Sequence, residues 1–156
     1  MNRRRGPLRI VLLFVHLAVI GGIVFFKLGP IAAKKQAYSK ELDTIHQRMS
    51  IDHGTAANAN EAFQKIPKPQ DADFDAMAVS SDRLSKEYSD LLLHASGIEA
   101  PNDSRVAHER LLTVLRIDAQ IYSNVAKAAR DRDKNRMRDA VIDGNRLTQD
   151  IGGETQ

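Results

Sequence analysis

The sequence predicts an all-α protein: a single N-terminal transmembrane helix followed by an antiparallel three- to four-helix bundle. Three observations carry that prediction. Leu8–Phe26, LRIVLLFVHLAVIGGIVFF, is a long apolar run. Beyond it, apolar residues recur three and four apart, the period of one helix face, and no strand-like alternation persists. Proline and glycine cluster at a few points that divide the remaining chain into helix-length pieces.

The anchor comes first. Ile10–Phe26 contains no formal charge. A helix of that length covers about 25 Å, a little short of a ~30 Å hydrocarbon core. Leu8 and Leu28–Ala33 close the gap, with Arg9 and Lys27 reaching the interfaces along their aliphatic stems. A cleaved signal peptide is the alternative. It needs a shorter apolar core, of about 7–15 residues, and a small-x-small site. Ile31-Ala32-Ala33 has a poor first position for that. The expected organisation is therefore a basic tail (1–7), a transmembrane signal-anchor helix (8–30), and one extramembrane domain (31–152) with a frayed end (153–156). Inside the anchor, His16 is a titratable group near mid-membrane. Ala18 and Gly22 form a weak small-xxx-small pair that permits close helix approach.

Charge sets the expected orientation. Residues 1–30 hold five basic residues and no acidic one, whereas residues 31–156 hold 18 basic and 20 acidic, a net of −2. The overall +3 thus belongs to the tail. Arginines ahead of the span favour a cytoplasmic N-terminus and an extracytoplasmic domain; Lys27, Lys34 and Lys35 weaken the contrast. With no cysteine in the chain, a lipoprotein anchor, a disulfide framework and thiolate chemistry are all excluded.

Gly29-Pro30 marks the exit from the anchor. The first extramembrane helix, 31–66, carries Tyr38, Leu42, Ile45, Met49, Asp52, Ala56, Ala59, Phe63 and Ile66 at alternating four and three spacing, a heptad seam. Asp52 alone breaks its apolar character, beside His53-Gly54, where a local interruption of the helix is an option. Pro67 ends the element. After Lys68-Pro69-Gln70, with Asp71 or Asp73 as cap, the second helix shows Phe74, Met77, Ser81, Leu84, Tyr88, Leu91 and Ala95. Gly97 suits a left-handed ending, with Ile98 folding back on Leu93. Pro101–Ser104 turns the chain into a third helix bearing Ala107, Leu111, Val114 or Leu115, Ile121 or Tyr122, Val125 and Ala128. This is the most apolar helix and so the one expected to be most buried. A break at Asp131–Asp133, with Asp133 as cap, leads to a shorter fourth helix bearing Met137, Val141, Gly144, Leu147 or Thr148, and Ile151. Short connectors make neighbours antiparallel.

Three candidate sites follow. Folding the helices about residues 70 and 100–101 puts His46, His94 and His108 in one layer, with Asp43 or Glu109 nearby. Three imidazoles and a carboxylate suit Zn²⁺ or a similar ion, and without metal they would respond to pH. The competing reading has these histidines flanking the seam and facing water. Asp52 with His53 is a polar site in the seam, fixing register or lining a cavity; the alternative is a loosened, exposed turn. Arg130, Arg132, Lys134, Arg136 and Arg138 form a basic patch for an anionic surface, or a solvated turn. The acidic balance of the domain and the lack of interleaved aromatics argue against nucleic acid.

No phosphate-binding loop, dinucleotide fingerprint or nucleophile elbow is present, so no enzyme activity is expected. The favoured function is a structural or protein-interaction module at the outer face of the membrane. Its expected partners are the bilayer and another membrane or envelope protein, or a second copy meeting it along Tyr38, Leu42, Ile45 and Met49. The alternative is a sensing or ligand-binding bundle that signals through a partner. No cofactor is expected beyond the possible Zn²⁺.

Overall fold

A computed structural model describes residues 29–153; the anchor segment, the basic tail and the last three residues lie outside the described residues. Among the described residues no helix is long and apolar enough to cross a membrane. The chain folds as an all-helical bundle of α1 (Gly29–Gln64), α2 (Asp71–Ser96), α3 (Arg105–Arg130) and α4 (Lys134–Gly153), with one 3-10 turn at Asn102–Ser104.

Helix α1 is continuous over 36 residues, about 54 Å at 1.5 Å per residue. It passes Asp52 and Gly54 without a break, because the seam residue Asp52 is packed against α2 and not released to water. The seam is the buried face: Tyr38, Leu42, Ile45, Met49, Asp52 and Phe63 are all buried. Expected as a surface for partners, Tyr38, Leu42, Ile45 and Met49 instead lie in the bundle's own core. Pro67 and Pro69 turn the chain. Asp73 then accepts a hydrogen bond from the Gln70 backbone N–H at 2.8 Å, so it acts from the third helical position and not as the cap itself.

The four helices run up, down, up, down. Lys34–Glu99 (2.9 Å) and Lys35–Asp103 join the start of α1 to the α2–α3 connector, which defines a basal end. At the far end, Lys134 Nζ reaches the carbonyl of Ile66 at 3.3 Å. Helix α3 is central, packed against both α2 and α4, as its apolar content requires. Two apolar clusters fill the core. The basal one joins Tyr38, Leu42, Ile45, Met49, Tyr88, Ala95, Leu111, Val114 and Leu115. The far one is built on Phe63, Phe74, Met77, Val125 and Met137.

One helix ending differs from the sequence expectation. Gly97 has φ −82°, ψ −8°, a right-handed conformation, and the helix closes through Gly97 N–H to His94 O and Ile98 N–H to Ala95 O. Ile98 packs on the basal cluster, which leaves Leu93 exposed. The left-handed residue lies elsewhere, at Arg132 (φ 57°). At the start of α4, Asp133 caps as expected, accepting from the Arg136 backbone N–H at 2.9 Å.

Candidate functional site

Between the two apolar clusters lies a belt of polar side chains from three helices. Asp52 and His53 come from α1, Glu87 and Tyr88 from α2, Asp118 and Tyr122 from α3. Each sits at or beside a core position of its helix. Asp118 has the heptad spacing Leu111-Asp118-Val125, as Asp52 has Ile45-Asp52-Ala59, so the two polar breaks meet in one layer. Asp52 is 5 % exposed and Asp118 4 %.

The belt has two halves. In the first, Arg48 spans two carboxylates: its Nε is 3.6 Å from Asp52 Oδ2 and its Nη2 is 3.5 Å from Glu87 Oε1. Glu87 is thus the carboxylate neighbour of Asp52. Even so, Asp52 Oδ2 and Glu87 Oε2 are buried without a hydrogen-bond donor. Burial raises the Asp52 carboxyl above its ordinary range, and the adjacent Glu87 raises it further; Arg48 and Arg83 pull the other way. In the second half, His53 Nε2 lies 3.4 Å from Asp118 Oδ2. The His53 ring is 5.6 Å from that of Tyr88, which is 5.4 Å from Tyr122. Tyr88 is fully buried. Desolvation raises both tyrosine hydroxyls, so both stay protonated donors across the physiological range. Ser85 donates to the Ala119 carbonyl at 2.9 Å and holds α2 to α3 at this level.

The three histidines do not converge. Glu41, not His46, faces His94, with Glu41 Oε2 3.1 Å from His94 Nε2. His108 is buried and hydrogen-bonded through Nδ1 to Tyr38 Oη at 3.2 Å. His46 has its own surroundings, where burial lowers its pKa and Asp43 opposes that shift. The expected layer rested on turns centred at 70 and 100–101. The helices slide by more than a turn from that register, enough to scatter His46, His94 and His108. Among the described residues no three His, Asp or Glu side chains are placed to hold a metal ion.

The basic run has acidic partners. Arg130 pairs with Asp82, Arg132 with Asp71 (3.2 Å) and Asp75 (2.8 Å), Arg136 with Asp131 (2.8 Å), and Arg138 with Asp139 (3.4 Å). Arg132 also lies over the Phe74 ring and Lys134 over Phe63. These side chains pin the far ends of α1 and α2 to the α3–α4 turn.

Of the polar belt, the sequence reading found Asp52 and His53 but not Glu87 or Asp118. The signal for Asp118 was its core spacing within α3; Glu87 offered none, since it flanks the stripe beside Tyr88. Fold and site together describe a helical bundle whose core is divided by a buried, acid-rich polar layer. Comparison with protein-family models, curated proteins and solved structures found no match.

Proposed function

We propose that the chain is a membrane-anchored helical bundle, a non-catalytic interaction module held at the outer face of a membrane by Leu8–Phe26. The supporting observation is α1, one 36-residue helix that runs the length of the bundle and follows the apolar run in the sequence. Because the α1 seam is buried, partner contact falls to the outer faces. There Leu93 is 75 % and Val106 64 % exposed, both in the basal part of the bundle.

A second reading, sensing through a partner, is favoured by the polar belt. Asp52, a buried carboxyl near the middle of α1, would make the docking of that helix dependent on conditions. Single cysteines at Asn2, Asn58 and Gln149 test topology and assembly together, because the chain has no native thiol and positions 58 and 149 are exposed. Labelling of intact cells with an impermeant reagent is expected at 58 and 149 only, with a cross-linked heavier species. Labelling at none of the three overturns the outer-face reading, and outward labelling with no cross-link overturns the interaction module in favour of sensing.

A further inference from the structure

The carboxylates of the belt, Asp52, Glu87 and Asp118, outnumber its arginines, Arg48 and Arg83. Facing Asp52 are Arg48 and His53 from α1, Arg83, Glu87 and Tyr88 from α2, and Asp118 and Tyr122 from α3. Two ionised carboxylates in contact are acceptors only, so neither satisfies the other. This matches the geometry, in which Asp52 Oδ2 and Glu87 Oε2 are each buried with no donor. Arg48 approaches both, but at 3.6 and 3.5 Å it lies beyond good hydrogen-bonding distance. A single proton changes the balance: it turns one acceptor into a donor, removes one buried charge and removes the repulsion.

We propose that the Asp52 carboxyl, protonated against Glu87, is an acid-closed latch, which clamps the middle of α1 to the α2–α3 pair when the proton is bound and releases it when the proton leaves. The inference rests on the packing of the described helices alone, so it stands whichever topology the anchor has.

The direction follows from linkage. Asp52 holds its proton to higher pH in the fold than in the unfolded chain. The folded state therefore binds more protons, and the stabilisation is fully present below the unfolded-chain value of 3.8. It is lost as pH rises through the folded value. The basal ion pairs run the other way. Lys34 holds the Glu99 carboxyl, and Lys35 that of Asp103, below the ordinary range. Their support is present above that range and is lost as pH falls. Acid thus tightens the middle of α1 while loosening its base.

Spin labels on cysteines at Asn58 of α1 and Asn124 of α3, both exposed, read the middle separately from the base. The full chain in phospholipid nanodiscs is expected to give one narrow distance at pH 4.5. At pH 7.5 a second, longer population should appear. Asp52→Asn places a permanent donor beside Glu87, so this variant should give the narrow distance at both pH values; Glu87→Gln should do the same from the other side. Asp52→Asn should also raise the melting temperature at pH 7.5 by about 4 °C or more and leave it nearly unchanged at pH 4.5. His53→Gln should keep the pH dependence. Identical wild-type distances at the two pH values would overturn the latch. So would a wild-type response in Asp52→Asn, or a response abolished by His53→Gln alone. If Asp52→Asn does not fold, Glu87→Gln decides by the same criterion.

Discussion

The far end of the bundle and its middle layer both set charged side chains against α1's neighbourhood, with opposite results. At the far end, charges of opposite sign meet at the surface. Arg132 bridges Asp71 and Asp75 while lying over Phe74, and Arg130 pairs with Asp82. In the middle, charges of the same sign meet under cover, with Arg48 as a partial bridge. Exposed, matched pairs contribute little and do not change near neutral pH. Like-charged carboxylates that Arg48 reaches only at 3.6 and 3.5 Å make the packing of the middle of α1 depend on a proton. The bundle is tied together where charge is exposed and matched and made responsive where like charges are covered.

The largest expected effect comes from the residue that keeps the middle layer covered. Tyr88 is fully buried, stacks between His53 and Tyr122, and reaches toward the Met49 carbonyl at 3.4 Å. Tyr88→Ala should destabilise the bundle by about 3–5 kcal/mol in chemical denaturation. Water entering the cavity would solvate Asp52 and Glu87, so the variant should also lose most of its pH dependence. A variant with wild-type pH dependence would show that the layer does not rely on Tyr88 for its dryness.

Gly144 comes next, as a control without charge. Glycine inside a helix costs stability relative to alanine, and the structure shows why the residue is there. A Cβ at position 144 would lie 2.1 Å from Cδ1 of Ile121. The bare glycine lets α4 approach α3, so Ala's better helix propensity is offset by the displaced isoleucine. Gly144→Val should cost about 1–3 kcal/mol, equally at pH 4.5 and 7.5. Adding Ile121→Ala should recover part of that loss, a coupling that a double-mutant cycle reads directly.

These two positions also show what was legible in the chain. Helix number, the continuity of spacing from Tyr38 to Phe63, the Asp133 cap and the seam position of Asp52 follow from local periodicity and turn chemistry, which act over a few residues. The layer partners did not follow, because they depend on register between helices. A slip of little more than a turn replaced His46 with Glu41 opposite His94 and scattered the expected histidine cluster. Asp118 was visible as a core-spaced polar residue, but only its meeting with His53 gives it a role. The basic run from Arg130 to Arg138 resembles a patch in the sequence because its acidic partners Asp71, Asp75 and Asp82 lie on another helix.

Arg48 isolates the electrostatic part of the middle layer. Arg48→Met keeps an aliphatic stem and removes the guanidinium between Asp52 and Glu87. Its side chain is more than half exposed, so solvent screening limits the loss to about 1 kcal/mol at pH 7.5. At pH 4.5, where the proton on Asp52 already relieves the carboxyl pair, the loss should shrink toward zero. Melting curves at the two pH values check this. Equal losses would mean that Arg48 contributes packing and not charge compensation.

The smallest effect, and the sharpest contrast with the middle, belongs to Arg132. Its backbone is left-handed (φ 57°), a conformation that costs a non-glycine residue roughly 1–2 kcal/mol. Its side chain offsets that cost through Asp71, Asp75, the Phe74 ring and the Ala129 carbonyl, the last at 3.2 Å. Arg132→Ala keeps the strain and removes the contacts, so about 1 kcal/mol should be lost. Arg132→Gly removes both, and the two terms nearly cancel. The urea midpoint of the glycine variant should therefore lie close to wild type, above that of the alanine variant. High salt should narrow the gap between wild type and Arg132→Ala, and pH between 5 and 8 should leave it unchanged. A pH-dependent gap would place a titrating group at the far end and remove the distinction between an end stitched by matched charge and a middle governed by a proton.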